Sequence, residues 1–152
     1  MTRESGQYRL FTDGAARGNP GPAGIGAVLE GPDGEVVGTL SRGIGWATNN
    51  VAEYQALIDG LGLAAAHGVR RLLVRSDSSL LVQQMRGAFK VRHPGLKPLH
   101  ALAVKLVHGF DAVRFEAVRR ESNRQADRLA NEGIDADNPG ARPPGSAEER
   151  LF

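Results

Sequence analysis

The sequence predicts an α/β protein in which helices flank a five-stranded mixed sheet, with the elements in the order βββαβααβα. Three observations lead to this fold class. Short apolar runs of strand length come first, separated by turns rich in Gly and Pro. Longer segments with apolar residues at helical spacing come later. From about residue 51 onward, helical and strand-like segments alternate, which is typical of helices packed on a sheet.

The first third of the chain predicts an antiparallel meander of three strands. Residues 7–13 form the first strand, and the segment 14–22, rich in Gly and Pro, is a predicted turn. Residues 23–30 and 36–43 form the next two strands, and the sequence Gly31-Pro-Asp-Gly34 between them is a hairpin signal.

The middle of the chain predicts a crossover to a parallel strand. Apolar residues recur at helical spacing over residues 51–66, and Gly68 is expected to end that helix. Residues 69–76 form the fourth strand. A strand that follows a strand and a helix usually returns through a right-handed crossover, so it should run parallel to the first strand.

The last third predicts two helices, a strand and a final helix. The helices cover residues 78–85 and a segment opened by Pro98 that reaches Phe110, while residues 113–118 and 123–134 are the last strand and helix. Residues 1–136 therefore form one predicted domain. Residues 137–152 lack apolar periodicity and predict a disordered C-terminal tail.

The composition excludes several classes of protein. With 152 residues, 41% hydrophobic and 24% charged, the chain can form one domain with a substantial core. No apolar run approaches the ~20 residues that span a bilayer, and the N-terminus is unlike a signal peptide. We therefore expect a cytoplasmic protein with no membrane partner. There is no cysteine, so disulfides and thiolate chemistry are excluded.

Four carboxylates stand where a globular domain would not ordinarily place them. Asp13 and Asp77 end predicted strands, Glu53 lies on the apolar side of a helix, and Asp127 lies in the first turn of the last helix. If these carboxylates are close together, they must take up protons or bind cations. Carboxylate oxygens suit Mg²⁺, for which Mn²⁺ can substitute. Two such ions are typical of phosphodiester cleavage.

Each carboxylate also has a purely structural interpretation. Asp13 precedes Gly and could form a turn; Glu53 could complete a capping box with Asn50. Asp77 could cap a helix, and Asp127 could be favoured at the N-terminus of the last helix by its interaction with the helix dipole. Asp13 and Asp77 nevertheless end strands expected to be parallel neighbours, and ligands bind beyond the carboxyl ends of such strands.

Several motifs in series resemble type 1 ribonuclease H over roughly residues 7–135. Each motif is weak alone, but their order and spacing are specific. The motifs are Thr12-Asp13-Gly14, Gly18-Asn19-Pro20-Gly21-Pro22-Ala23-Gly24, Thr48-Asn49-Asn50-Val51-Ala52-Glu53, Ser76-Asp77-Ser78 and the segment from Arg120 to Ala130.

The resemblance implies the ribonuclease H-like fold and an endonuclease that hydrolyses the RNA strand of RNA–DNA hybrids. It implies two Mg²⁺ ions during catalysis and 5′-phosphate and 3′-hydroxyl products. Separately, we expect a monomer. The catalytic and metal-binding carboxylates correspond to Asp13, Glu53, Asp77 and Asp127. The positions that contact the hybrid correspond to Gly14, Asn19, Thr48, Asn49, Asn50 and Ser78.

The chain departs from many members of that family in two places. The connection before the last helix is short and has no His, which resembles a His-less branch in which an Arg at the place of Arg120 does related work. Residues 87–98 are shorter than the basic protrusion of other members. Two other functions stay open: a DNA-cutting nuclease related to integrases and transposases, and a hybrid-binding module without catalysis.

Overall fold

The computed structural model describes residues 6–137, and its elements follow the predicted order. Apart from Asp137, the predicted tail lies outside the described residues. The strands are β1 (Gln7–Ala16), β2 (Gly21–Glu30), β3 (Val36–Ala47), β4 (Arg71–Ser76) and β5 (Ala112–Ala117), and the helices are α1 (Asn49–Ala66), α2 (Ser79–Met85), α3 (Lys97–Val107) and α4 (Arg124–Asp137).

The five strands form one mixed sheet in the order β3-β2-β1-β4-β5. The first three strands are antiparallel neighbours, whereas β4 runs parallel to β1, and β5 runs parallel to β4. The predicted meander and crossover are therefore confirmed. Thr12 of β1 lies opposite Ser76 of β4, so the residues that follow them, Asp13 and Asp77, lie at one edge of the sheet.

The meander strands are longer than predicted. β1 continues to Ala16, β2 begins at Gly21, and β3 continues to Ala47, so the predicted turn over 14–22 shrinks to residues 17–20. The extra residues are mainly Gly and Ala, which have low strand propensity in sequence. They join the ladder because backbone pairing needs no apolar side chain; for example, Gly14 pairs with Ile25.

Helices cover both faces of the sheet. On one face α1 contributes buried Leu57 and Leu61 to a core that includes Leu10 of β1 and Val74 of β4. On the other face α4 packs directly on the glycines of β2: a Cβ added to Gly26 would lie 2.3 Å from the Ala126 carbonyl oxygen. Asp13 pairs with Gly26 across β1 and β2, so its side chain faces α4.

Within residues 6–137, no helix has the length and apolar character required to cross a membrane.

Candidate active site

Three of the four predicted carboxylates lie together where the parallel pairing of β1 with β4 ends. Asp13 lies inside β1, which continues to Ala16, so the prediction that it ends the strand is wrong. One carboxylate oxygen from each of Asp13, Glu53 and Asp77 lies within 4.8 Å of the others. Asp13 and Glu53 are buried, with 4% and 5% of their surface exposed, whereas Asp77 is half-buried. Oxygen ligands at this spacing, open to solvent on one side, fit a hard divalent cation such as Mg²⁺.

Glu53 is held toward Asp13 by a close approach of α1 to β1. Its Oε1 accepts a hydrogen bond of 2.9 Å from the backbone N–H of Gly14. A Cβ added to Gly14 would lie 2.2 Å from the carbonyl carbon of Ala52, so this approach requires glycine. The backbone of β1 therefore holds the Glu53 carboxylate beside Asp13, the residue before Gly14.

The capping-box interpretation of Glu53 is wrong. Helix α1 begins at Asn49, and Thr48 is its N-cap: the Thr48 hydroxyl accepts a hydrogen bond of 3.2 Å from the Val51 N–H. Asn50 is thus already inside the helix. The Glu53 carboxylate therefore does not cap the helix and lies in the cluster with Asp13 and Asp77.

The capping interpretation of Asp77 is also wrong, because Ser78 is the N-cap of α2. The Ser78 hydroxyl accepts a hydrogen bond of 3.2 Å from the Leu81 N–H at the start of α2. The Ser78 N–H in turn donates to Ser76 Oγ at 3.0 Å. The Asp77 carboxylate is therefore available to a ligand.

Asp127 is brought to the cluster through Asn123, a residue to which the sequence assigned no role in the site. Asn123 is 2% exposed; its Nδ2 donates to the Thr12 carbonyl at 2.9 Å, and its own carbonyl accepts from the Asp127 N–H at 3.1 Å. One side chain thus links the strand that carries Asp13 to the helix that carries Asp127. The sequence signal was its position at the start of the predicted helix 123–134, four residues before Asp127.

The carboxylates are electrostatically unfavourable without a cation. Burial, together with the negative charges of Glu53, Asp77 and Asp127, raises the pKa of Asp13 from 3.8 to about 9. Burial also raises the pKa of Glu53 from 4.5 to about 8, although the Gly14 hydrogen bond and the charge of Arg120 oppose this shift. Carboxylates that resist ionisation in this way gain a stable charged form when they bind metal.

We expect the metal-free protein to lose stability as pH rises. Between about pH 4 and 9 the folded state retains protons on Asp13 and Glu53 that the unfolded state releases, so the free energy of unfolding falls through this window. Thermal denaturation in EDTA should therefore give a lower Tm at high pH, and Mg²⁺ should reduce the fall. An Asp13→Asn, Glu53→Gln double variant is the control, and a parent Tm that rises with pH contradicts the expectation.

Most of the residues predicted to contact substrate surround the N-terminus of α1. Asn19 Oδ1 accepts a hydrogen bond of 2.9 Å from the Asn49 N–H, which ties the β1–β2 turn to the helix. Asn49 and Asn50 are exposed, and Thr48 is half-buried. Gly14 differs from this group, since it is buried and its N–H is already used by Glu53.

Arg120 lies on an exposed 3₁₀ turn, Arg120–Ser122, between β5 and α4. Its positive charge lowers the pKa of Glu53, which places it within electrostatic reach of the cluster. An arginine at this position could simply form a surface ion pair with Glu121 or Glu116, but Glu116 pairs with Arg75 at 2.8 Å. Among residues 6–137, no carboxylate forms an ion pair with Arg120.

This sheet order, with acidic residues grouped where the parallel pairing of β1 with β4 ends, defines the ribonuclease H-like fold. Residues 11–133 match the family described as reverse transcriptase-like. The chain belongs to that family, and its similarity to named proteins places it with the type 1 ribonucleases H.

Three relatives support this assignment. The chain is 48% identical over 128 residues to the bifunctional protein Rv2228c of Mycobacterium tuberculosis, covering 84% of this chain and 35% of that protein. The solved N-terminal RNase H domain of Rv2228c superposes with a TM-score of 0.83 at 45% identity, over 85% of this chain and 99% of that one.

The other two relatives are also solved structures. RNase H1 of Halobacterium salinarum gives a TM-score of 0.84 at 44% identity, over 86% of this chain and 99% of that chain. LC11-RNase H1, from a compost metagenome, was solved in complex with an RNA/DNA hybrid and gives a TM-score of 0.82 at 41% identity, over 86% and 98% of the two chains. The chain spans 65% of the full Halobacterium ribonuclease HI.

Proposed function

We propose that this protein is an endonuclease that hydrolyses the RNA strand of RNA–DNA hybrids with two bound Mg²⁺ ions. The observation that carries the proposal is the group of Asp13, Glu53 and Asp77 oxygens within 4.8 Å of one another. The 41–45% identity to solved RNases H, one of them bound to a hybrid, supports the substrate class. We further propose that it acts as a cytoplasmic monomer.

The carboxylates would divide the two ions between them. Asp13 and Asp77 would hold one ion, with Asp127 beside it, and Asp13 and Glu53 would hold the other; Mn²⁺ can substitute for Mg²⁺. When bound, such a pair supplies an activated water and stabilises the leaving 3′-oxygen, which gives 5′-phosphate and 3′-hydroxyl ends.

The remaining residues would bind and orient the hybrid. Asn49 and Asn50, at the exposed start of α1, offer side-chain amides to backbone and sugar oxygens. The 2′-hydroxyl is the group that distinguishes RNA from DNA at such a site. Asn19 would contact the hybrid from the β1–β2 turn, which its hydrogen bond from the Asn49 N–H holds against the start of α1. Ser78 follows Asp77 in the chain, and its capping bond from the Leu81 N–H holds it at the start of α2.

End-labelled RNA–DNA hybrid, duplex DNA and duplex RNA, incubated with Mg²⁺ or with EDTA, test the proposal. We expect internal cuts in the RNA strand of the hybrid only when metal is present, and products that a 5′-phosphate-dependent exonuclease can degrade. Cleavage of duplex DNA instead would support the integrase-like alternative. Binding of the hybrid without any cleavage would support the catalytically silent module.

Arg120 is expected to affect turnover far more than folding. A guanidinium near the cluster cannot act as a base at neutral pH, but it can orient the scissile phosphate through charge-assisted hydrogen bonds. Arg120→Ala should lower kcat roughly tenfold or more, equivalent to about 1.4 kcal/mol. Arg120→Lys should be intermediate because it keeps the charge and loses the planar fork.

Steady-state kinetics on a short hybrid, with Tm measured in parallel, checks this expectation. The matched control is Arg128→Ala, which removes an exposed arginine whose partner on α4 is Glu132. If the Arg120→Ala variant turns over like the parent protein, Arg120 has no role in the reaction.

A further inference from the structure

Trp46 is the only tryptophan of the chain, and 72% of its surface is exposed. Burial of apolar surface stabilises a fold by about 25 cal/mol per Å², so an indole that stays exposed contributes little to the free energy of folding. Such a side chain is expected where another molecule covers it, and Trp is enriched where a ligand is bound by an aromatic face.

The local backbone directs Trp46 outward. Residues 43 and 45 of β3 pair with consecutive residues of β2, so Ile44 is an extra residue that forms a β-bulge. Gly45 has φ +78°, although a Cβ there would meet no atom within 4 Å. The glycine therefore serves the left-handed conformation rather than close packing. Bulges of this kind re-aim the side chains that follow them and occur beside active sites.

Trp46 borders a shallow depression next to the residues proposed to bind the hybrid. The depression is lined by Arg42, Ile44, Trp46, Ala47, Val51 and Gln55. Val51 also lines the neighbouring hollow, which contains Asn19, Thr48 and Asn50. The two depressions thus adjoin at the start of α1. From Trp46 to Glu53 the chain covers at most ~16 Å, about five base-pair steps of a duplex.

The depression does not have the chemistry of a phosphate site. Its cationic side chain, Arg42, donates two hydrogen bonds to Asp59 Oδ2, at 2.6 and 3.1 Å, and Gln55 donates to the other oxygen of Asp59 at 2.8 Å. The charge is therefore neutralised within the protein. What remains for a ligand is the apolar face formed by the indole, Ile44 and Val51.

We propose that Trp46 packs against a deoxyribose ring in the DNA strand of the bound hybrid; this inference rests on the proposed function. In a duplex the bases are stacked inside, so an exposed indole beside the backbone meets sugar rings. The C2′ methylene of deoxyribose is apolar, whereas a ribose would press its 2′-hydroxyl against the indole and lose hydration. The carboxylates would hold the RNA strand, and Trp46, up to ~16 Å along the chain from Glu53, lies far enough away to reach across the minor groove to the DNA strand.

Because Trp46 is the only tryptophan, its fluorescence reports this contact directly. In an Asp77→Asn background that prevents cleavage, addition of an RNA–DNA hybrid should quench or shift the emission. Anisotropy of a labelled hybrid should show affinity falling about tenfold in Trp46→Ala, close to the stacking effect known for single aromatic residues. Trp46→Phe should retain most of the affinity.

Val36→Ala is the matched control, since Val36 is an exposed apolar residue at the other end of β3 and should leave affinity unchanged. With Asp77 restored, Trp46→Ala should raise KM and spare kcat. The strand assignment is tested at low salt, where phosphate contacts give measurable affinity for any duplex. There Trp46→Ala should weaken binding to the hybrid about tenfold and to duplex RNA of the same sequence less than twofold.

Equal losses on the two duplexes would overturn the DNA-strand contact. Hybrid binding with unchanged tryptophan emission and unchanged affinity in Trp46→Ala would overturn the role of Trp46 altogether, while leaving the proposed nuclease function intact. Failure of the parent protein to cut the hybrid would instead refute the nuclease function, whatever happens at Trp46.

Discussion

Asp77→Asn is expected to abolish cleavage while leaving the fold as stable as before or more stable. The substitution removes a proposed metal ligand, and the lost electrostatic stabilisation of several kcal/mol corresponds to a rate on the order of a thousandfold lower. It also removes a negative charge that raises the pKa of Asp13 and Glu53, so repulsion in the metal-free protein decreases. The helix start is unaffected because Ser78 is the cap.

Initial rates on a labelled hybrid with Mg²⁺, and Tm in EDTA, measure the two halves of this prediction. The matched control is Asp111→Asn, which removes an exposed carboxylate paired with Arg70 and should change neither the rate nor the stability appreciably. Retained activity in Asp77→Asn would refute the site assignment. A much lower Tm in EDTA would show that Asp77 stabilises the fold.

Gly26→Ala is expected to destabilise the protein strongly and to reduce activity with it. The new Cβ would lie 2.3 Å from the Ala126 carbonyl oxygen and 2.6 Å from the Ala130 nitrogen, both backbone atoms that cannot rotate away. Helix α4 must therefore move off the sheet. We expect the free energy of unfolding to fall by about 3 kcal/mol, and displacement of the helix that carries Asp127 should lower kcat.

Urea denaturation of the parent protein and the Gly26→Ala variant measures this loss of unfolding free energy. Gly62→Ala is the control variant. Gly62 is exposed on α1, and a Cβ there would meet no atom within 4 Å, so alanine should stabilise the helix by up to about 1 kcal/mol. The two variants make the same chemical change with opposite expected signs. If Gly26→Ala were as stable as the parent protein, the close approach of α4 to β2 would be wrong.

The order of elements and the proximity of Asp13 to Asp77 followed from local patterns in the sequence. The hairpin at Gly31–Gly34 and the parallel pairing of β1 with β4 were predicted from turn residues and crossover geometry, and both are present. Asp13 and Asp77 could be placed near each other because parallel neighbours end at the same edge. These predictions depend on residues close in sequence or on general rules of chain topology.

Which polar group meets which partner was decided only by the tertiary structure. Thr48 and Ser78 are the caps, so Glu53 and Asp77 belong to the carboxylate cluster rather than to the helix ends. Asn123 bonds to Thr12, which lies 111 positions earlier in the sequence, and Gly26 allows the close approach of Ala126 on α4, 100 positions later. Local propensity carries no information about such contacts, because they depend on how closely two backbones approach after the sheet and helices have packed.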